Sequence, residues 1–408
     1  MELDKNWLET VLSGKNHGEP PVKVLDIQTE MGAIQKGENY MSKISKVRAK
    51  ILLGSGETKS IGFIVKHQHE TEFMKQLSEK AGVFFREIEV YRQILPKMEE
   101  LLDEIGDTGV RPWGKCVDYT KYSRIIFEDL TFSGYRIADR RKRQNLDSVL
   151  LVMRELGKFH ALSKVLLTRG LIPLDVFGKH LWHKSEDKIA LHINSTLAMA
   201  EKTICQWGEE WKQIYDRMKK TIPNFSESFL RAVEVEPDEF TVLSHADLWT
   251  NNMLFQYGPD SERPTSIKFI DFQLTYVATP DRDLAYFLYS SARPEVVEGH
   301  FDEILQAYCD SLKGYLAKFK YEGIVPGVEN VKEMLRKRTI LTLGDSMMVF
   351  PFILCDFSEA PDLEDILKNE SAEEKDSKLE WSAMEHLSIE AENVIKASFK
   401  RAIAHGLI

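Results

Sequence analysis

Hydrophobic and polar residues alternate along much of the first third of the chain, a pattern typical of strands buried on one face. Ile44 to Leu53 and Ser60 to Val65 are predicted strands, and the intervening Gly54 to Glu57 is rich in turn-forming residues. Phe63 and Lys66 lie on opposite faces of the second strand, because successive side chains alternate. This region therefore predicts a small antiparallel sheet.

A helical period follows the predicted sheet strands. Val83 to Leu95 is predicted to be a helix, and Pro96 is expected to lie near its end because proline interrupts helical hydrogen bonding. The apolar stripe of this helix consists of Phe84, Ile88, Tyr91 and Leu95. A further predicted strand, Arg124 to Phe127, leads into Glu128.

From about residue 145 onward the helical period dominates, with three short interruptions. These predicted strands are Phe240 to Leu243, Met253 to Tyr257 and Ser266 to Ile270, and Gly258-Pro259-Asp260 is the predicted turn of a hairpin between the last two. The acidic stretch Glu359 to Lys378 is predicted to be a surface loop. The pattern predicts an α+β, bilobal protein with a strand-rich N-terminal lobe (residues 1–128), a larger, mostly helical C-terminal lobe (residues 129–408) and a ligand cleft between them.

Composition removes several classes of protein. The chain has 408 residues and a formal net charge of −10 without a long basic block, so no nucleic-acid partner is expected. Its four cysteines form no C-x-x-C pair, which argues against a zinc site and a disulfide framework. No apolar run is long enough for a membrane span, and the first residues lack an apolar signal core. A cytoplasmic protein is therefore expected.

One ordered set of polar residues carries the strongest chemical signal. Ser244 to Asn252 has the form H-x-D-x-x-x-x-N and is followed, after the predicted hairpin, by an aspartate at a strand end. Phosphoryl transfer needs a group that takes the acceptor proton and oxygen ligands that hold Mg²⁺ against nucleotide phosphates. Asp247 suits the first role, and Asn252 and Asp271 suit the second.

The same segments resemble a known family. Leu243 to Phe255 and Phe269 to Gln273 are similar to the insect ecdysteroid-kinase-like family, in the choline-kinase and aminoglycoside-phosphotransferase branch of the protein-kinase-like fold. Further matching pieces occur in order: Gly37 to Ser42, Glu128 to Leu130, Lys158 to Ala161, and Asp283 to Leu288. The resemblance implies ATP and Mg²⁺ as cofactors and a small hydroxylated acceptor, such as a steroid.

The resemblance also implies roles for residues of the N-terminal lobe. Lys66 matches the strand lysine that contacts the nucleotide phosphates, and its partner is expected on the following helix. Glu87 flanks the apolar stripe of that helix, whereas Glu89 falls on the polar face, so Glu87 is the predicted partner. The implied nucleotide-phosphate loop uses Gly37, Asn39 and Ser42, and the implied adenine-contacting hinge includes Glu128 and Leu130.

The family resemblance also implies structural roles for residues around the predicted catalytic loop. Asp283 resembles the aspartate that braces the catalytic loop, although a helix N-cap is an alternative role for it. His245 is expected to orient this loop, and His160 is expected to be a hydrogen-bonded core residue. Gln273 stands where protein kinases have glycine, and no A-P-E segment follows, so protein kinase activity is not expected. Ala246 stands where the family often has glycine, and this difference is expected to have little effect on function.

Three functions fit this sequence. The leading hypothesis is transfer of the ATP γ-phosphoryl group to a hydroxyl of an ecdysteroid-like or other apolar small molecule. A choline- or ethanolamine-type kinase, or a kinase that detoxifies dietary compounds, is the second. A pseudokinase that only binds ligands is the third, and the presence of Lys66, Asp247, Asn252 and Asp271 argues against it.

Overall fold

The structure is a computed structural model of the chain. It describes residues 4–13, 21–31, 43–68, 82–120, 123–181, 183, 186–258, 261, 263–354, 384 and 386–408. The predicted acidic surface loop at 359–378 lies outside the described residues.

A five-stranded antiparallel sheet forms the core of the N-terminal part, with the strand order β1-β2-β3-β5-β4. The predicted strands are confirmed, with small differences at their ends. The five strands are β1 (Pro21–Met31), β2 (Lys43–Leu53), β3 (Thr58–His67), β4 (Cys116–Thr120) and β5 (Arg124–Glu128).

One face of this sheet is covered by helix α1 (Lys5–Ser13). Trp7 and Leu8 of the helix pack with Phe63 and Val65 of β3 in one buried cluster. The alternation in β3 explains this packing, since Phe63 and Val65 lie on the same face of the strand. Lys66 consequently points to the opposite face, toward the rest of the molecule.

The helix after β3 does not end near Pro96, as the sequence predicted, but continues to Glu104. It consists of α2 (Val83–Glu89), a π-helical segment (Val90–Ile94) and α3 (Leu95–Glu104). The N–H of Leu95 donates to the carbonyl of Val90, five residues back, and Pro96 follows in the first turn of α3. A proline is tolerated there because the first turn needs no N–H donor from it, so the wider π turn lets the helix restart around Pro96.

The C-terminal part contains two small sheets that flank the predicted catalytic segments. Strands β6, β8 and β9 form one antiparallel sheet, which includes the predicted β8–β9 hairpin, and β7 pairs with β10 in the other. Gly258 is the one residue of the predicted hairpin turn that the structure describes. The strands are β6 (Tyr135–Ile137), β7 (Val242–Ser244), β8 (Met253–Tyr257), β9 (Pro264–Phe269) and β10 (Tyr276–Ala278).

Helices make up most of the remaining described residues. They are α4 (Leu146–Thr168), α5 (Leu174–Phe177), α6 (Glu186–Ile204), α7 (Glu209–Thr221), α8 (Phe225–Val233), α9 (Asp281–Ser290), α10 (Pro294–Lys318), α11 (Val328–Lys337), α12 (Thr339–Met348), α13 (Phe350–Leu354) and α14 (Ile389–Ala404). None of the helices in the described part of the chain combines the length and the apolar composition that crossing a membrane requires.

The helices build two separate apolar cores. The larger core surrounds α4 and α10 and includes the buried side chains of Phe159, Phe269 and Phe272. It also takes in Tyr91 and Met98 from the helix after β3, so that helix joins the two parts of the molecule. The second core lies among α6, α7, α8, α12 and α14. The predicted lobe boundary at residue 128 stays a prediction.

Candidate active site

Strand β7 leads directly into the predicted catalytic loop, and Asp283 holds the start of that loop. The Asp283 carboxylate accepts hydrogen bonds from the backbone N–H groups of His245 (2.7 Å) and Ala246 (2.7 Å) and from the Ser244 hydroxyl (2.8 Å). His160 Nε2 lies 3.0 Å from the same carboxylate. These bonds make Asp283 the residue that braces the loop, as the family resemblance implied.

Ala246 shows why this brace is needed. Its φ angle is +65°, in the left-handed region that side chains other than glycine adopt at a cost of about 1–2 kcal/mol. The hydrogen bond from its N–H to buried Asp283 offsets part of this cost. The glycine that the family often has here would adopt the same angle without strain.

The two histidines near the brace are fully engaged in hydrogen bonds. His245 Nδ1 accepts from the Asp247 N–H at 3.3 Å, so its Nε2 donates to the Ile270 carbonyl at 2.9 Å. Burial lowers the pKa of His245, which favours the neutral ring. His160 lies between Asp283 and the Tyr308 hydroxyl, 2.9 Å from its Nδ1, in the buried core where it was expected.

Asp247 has a hydrogen-bond donor at each carboxylate oxygen. The Tyr286 hydroxyl donates to Oδ1 at 3.0 Å, and Asn252 Nδ2 donates to Oδ2 at 3.0 Å and to the Asp247 carbonyl at 2.8 Å. Burial, and then the charge of Asp271, raise the pKa of Asp247 to about 7, against the opposing effect of these hydrogen bonds. A carboxylate with such a pKa is suited to general-base chemistry near neutral pH.

Sequence reasoning missed Tyr286. It belongs to the segment Asp283 to Leu288, which the family resemblance included, but no role was assigned to it. One turn of α9 places Tyr286 three residues after Asp283, so the two side chains extend from the same region of the helix. The three-residue spacing from Asp283 could have indicated that Tyr286 lies near the catalytic loop. Only the fold shows that its hydroxyl contacts Asp247.

Lys66 joins the sheet to the C-terminal part through one buried and one partly buried ion pair. Its Nζ lies 2.7 Å from Glu87 Oε2 and 2.6 Å from Asp271 Oδ1, and Gln273 Oε1 is 3.5 Å away. Burial disfavours the ammonium, but the charges of Asp271 and Glu87 outweigh burial and hold the pKa of Lys66 above its ordinary value. The sequence preference for Glu87 over Glu89 agrees with this contact.

The two carboxylate partners of Lys66 are each perturbed, Glu87 in its pKa and Asp271 in its backbone conformation. Burial raises the pKa of Glu87 to about 7, although the Lys66 charge acts in the opposite direction. Asp271 has a left-handed φ of +65° and accepts a hydrogen bond from Gln273 Nε2 at 3.3 Å. A strained backbone held by surrounding contacts is typical of functional positions.

Asn252 and Asp271 offer the oxygen ligands that a magnesium ion requires. The Ile270 N–H donates to the Asn252 carbonyl at 3.0 Å, which brings the ends of the two segments together. The Asn252 amide nitrogen faces Asp247, so its amide oxygen is the atom available to a cation. One carboxylate and one amide oxygen fit Mg²⁺, which completes its shell with water and phosphate oxygens.

The nucleotide-binding residues of the N-terminal part are only partly described. Gly37, Asn39 and Ser42, the predicted nucleotide-phosphate loop, lie outside the described residues. In the predicted hinge, the Glu128 N–H donates to the Lys115 carbonyl at 3.1 Å. Leu130 is buried and begins a short 3₁₀ turn. Their contact with adenine stays a prediction.

The fold and the geometry around Lys66 and Asp247 define the class of protein. A small antiparallel sheet joined to a larger helical part is the bilobal, protein-kinase-like fold that the sequence predicted. Choline kinase from Cryptosporidium parvum Iowa II has the same fold, with a TM-score of 0.51, 12% sequence identity and coverage of 99% of this chain and 96% of that chain.

The chain belongs to the ecdysteroid kinase-like family, whose model matches residues 36–321. An amicoumacin kinase with AMP-PNP and Ca²⁺ is also similar, with a TM-score of 0.40, 14% sequence identity and coverage of 91% of this chain and 87% of that chain. An aminoglycoside 2′-phosphotransferase-IIIa with GDP has a TM-score of 0.40, 10% sequence identity and coverage of 97% of this chain and 99% of that chain. No curated protein matches the chain. The family and the fold support a phosphotransferase that acts on small molecules.

Proposed function

We propose that this protein transfers the γ-phosphoryl group of ATP to a hydroxyl group of an ecdysteroid-like or other small apolar molecule. The observation that carries the proposal is the position of Asp247, which is half-buried, held at both oxygens and close enough to Asp271 for that charge to raise its pKa. A proton acceptor beside a metal-ligand set is what alcohol phosphorylation requires.

In the proposed reaction, Asp247 orients the acceptor hydroxyl and takes its proton as the new oxygen–phosphorus bond forms. The bond between the γ-phosphorus and its bridging oxygen breaks, and ADP leaves with that oxygen. Bound Mg²⁺ supplies charge neutralisation at the phosphates, and Asn252 and Asp271 would hold it. The products are a phosphate monoester, ADP and one proton, which Asp247 returns to solvent.

Lys66 is proposed to bind the nucleotide phosphates. Its ammonium is positioned by Glu87 from the helix and by Asp271 from the C-terminal part. A fixed lysine at this position neutralises phosphate charge without moving during the reaction, which is the property that electrostatic catalysis needs. Glu87 would keep the ammonium in place while Asp271 holds the metal ion.

The test is acceptor-dependent phosphorylation. Purified protein is incubated with Mg·ATP and a panel of ecdysteroids, other hydroxylated apolar compounds, choline and ethanolamine, and products are detected by mass spectrometry. A phosphate-sized mass gain on an apolar acceptor is the expected result. Phosphorylation of choline or ethanolamine alone would assign the protein to a cationic acceptor, and no product across the panel would contradict the proposed reaction.

Asp247→Asn is the matched catalytic variant. We expect it to lower kcat at least about 1,000-fold, which corresponds to about 4 kcal/mol of transition-state stabilisation, while Mg·ATP affinity is retained. Asp238→Asn, at an exposed aspartate, is the control and should behave as the wild type. Turnover by Asp247→Asn equal to that of the control would refute Asp247 as the base.

A further inference from the structure

Three metal-ligating side chains meet outside the proposed catalytic centre. His180 follows α5, Glu186 is the first residue of α6, and Glu234 follows α8, and one ligand atom from each lies within 4.8 Å of the other two. His180 Nε2 is 3.6 Å from Glu234 Oε1 and 4.0 Å from Glu186 Oε1. We call these residues the His180 cluster.

The buried atom of this cluster lacks a hydrogen-bond partner among the described residues. His180 is 5% exposed, and its Nε2 is buried without a hydrogen bond, because both carboxylates are beyond hydrogen-bond distance. A buried polar atom without a hydrogen-bond partner destabilises the folded state unless a ligand binds it. Burial lowers the pKa of His180, against the charges of Glu234 and Glu186, and this favours the neutral ring that ligates metals.

We propose that the His180 cluster binds a transition-metal divalent cation of the Zn²⁺ type. Two ligand atoms of a tetrahedral zinc ion, each about 2.0–2.1 Å from the metal, are about 3.4 Å apart. The observed 3.6 Å and 4.0 Å are therefore close to a ligating arrangement. Imidazole nitrogen favours zinc over Mg²⁺, which prefers oxygen ligands alone.

Burial and charge also suit this arrangement. The side chains of Glu186 and Glu234 are 51% and 40% exposed, so they can turn toward an entering ion, whereas the His180 ring is held inside. The Lys179 ammonium bonds Oε2 of Glu234, and this leaves Oε1 as the oxygen that faces His180. Lys179 is the one cation among the described groups paired with the cluster, and its neutralisation of Glu234 is a cost that the metal must overcome.

The Arg86 side chain connects the His180 cluster to the catalytic region. Arg86 donates to the Lys179 carbonyl at 3.2 Å and to the Thr275 carbonyl at 2.8 Å. Arg86 precedes Glu87 on α2, and Thr275 lies shortly after Asp271. The His180 ring also packs edge-on against Tyr276 of β10, with ring centroids 6.3 Å apart. A bound ion would therefore stabilise the segment that supports Glu87 and β10.

The test measures zinc binding to the full chain after treatment with a chelator. Excess Mg²⁺ is kept present so that the oxygen ligands at Asn252 and Asp271 are occupied. Zinc is titrated against a competing chromophoric chelator, and melting temperature is followed with and without zinc. One equivalent per chain, with a zinc-dependent rise in melting temperature, is the expected result.

Three variants and one control identify the ligands. Glu186→Gln and Glu234→Gln remove exposed carboxylates, and His180→Phe keeps a ring against Tyr276 while removing the nitrogen. Each should weaken zinc binding at least 10-fold, and His180→Phe should melt at or above the temperature of metal-free wild type because the unpaired nitrogen is gone. Glu201→Gln is the control, since Glu201 lies on α6 about 22 Å from Glu186 at 1.5 Å per residue.

Two results would overturn the proposal: no zinc equivalent on the wild-type chain, or equal zinc affinity in the wild type and all three variants. Neither result bears on phosphoryl transfer, because the readouts are zinc stoichiometry and melting temperature.

Discussion

At the residue scale, the pKa of the Asp247 carboxylate depends on two hydrogen-bond donors. One lies close to Asp247 in the sequence and the other is distant. Asn252 is five residues away on the same loop and belongs to the same H-x-D-x-x-x-x-N motif. Tyr286 is 39 residues away, and its hydrogen bond to Oδ1 comes from packing of α9 against the loop. Both donors favour the ionised carboxylate and oppose the effect of burial.

We therefore predict that Tyr286→Phe raises the pKa of Asp247 further above its ordinary value. Asp247 acts as a base only when deprotonated, so activity is lost as pH falls through its pKa, and the variant should lose activity at a higher pH than the wild type. A hydrogen bond to a charged group contributes about 1.5–3 kcal/mol, so kcat/KM at pH 7 should fall about 10-fold or more. The pH profile of kcat/KM is the measurement.

The control for this prediction is Tyr289→Phe, on the same helix, whose ring is covered by the Arg401 guanidinium and has no bond to Asp247. An acid limb at the same pH in Tyr286→Phe, Tyr289→Phe and the wild type would show that the Tyr286 hydroxyl does not stabilise the base. Mg·ATP affinity should be the same in all three proteins.

At the element scale, Glu239 connects the turn before β7 with the junction of α11 and α12. Its carboxylate bonds Lys337 at 2.6 Å and also bonds the buried Arg338. Burial acts to raise the pKa of Glu239, but the hydrogen bonds from Arg338 and Lys337 outweigh burial and lower it to about 2. The ionised form of Glu239 thus stabilises the strand that leads to Asp247.

This gives a prediction for stability against pH. Because the folded-state pKa is lowered from 4.5 to about 2, the contribution of Glu239 is complete above pH 4.5 and is lost as pH falls from 4.5 toward 2. Glu239→Gln should therefore reduce the free energy of unfolding by about 1 kcal/mol at pH 7, a figure reduced for solvent screening. The difference from wild type should shrink below pH 4.5 in urea unfolding experiments.

Glu236→Gln is the matched control, since this exposed side chain lies three residues earlier in the same turn. Its free energy of unfolding should equal that of the wild type at pH 7 and at pH 3. If Glu239→Gln reduced the free energy of unfolding by the same amount from pH 7 to pH 3, the stabilisation by Glu239 would not depend on its ionisation.

At the scale of the whole molecule, Lys66 connects the N-terminal sheet to the C-terminal part through Glu87 and Asp271. Removing one partner of a buried ion pair leaves an uncompensated charge, which costs about 3–5 kcal/mol. Glu87, whose pKa is already about 7, can reduce this cost by taking a proton. The same lysine is proposed to bind phosphate, so stability and nucleotide affinity can be separated by mutation.

We predict that Lys66→Met lowers the free energy of unfolding by about 2 kcal/mol or more, and that Lys66→Met/Glu87→Gln recovers more than half of this loss because no charged Glu87 remains buried. Mg·ATP affinity should stay low in both. Chemical unfolding and nucleotide titration are the measurements, with Lys50→Met on the exposed face of β2 as the control. Restored nucleotide affinity in the double variant would argue against phosphate binding by Lys66.

The sequence by itself predicted those parts of the fold and site that depend on neighbours a few residues apart. Period-two alternation predicted the strands around Lys66, and the hairpin β8–β9 followed from two short apolar runs and their turn. The family resemblance then supplied the bilobal fold and the order of the site residues. Local spacing decides these features because side-chain direction repeats with a period set by the backbone.

Only the tertiary structure decided the contacts between distant residues. The π-helical segment carried the helix past Pro96, a position where the local rule predicted its end. The bond from Tyr286 to Asp247 and the meeting of His180 with Glu186 and Glu234 depend on how helices pack. Such contacts leave no period in the sequence, because burial of apolar surface brings the helices together and their polar side chains meet as a consequence.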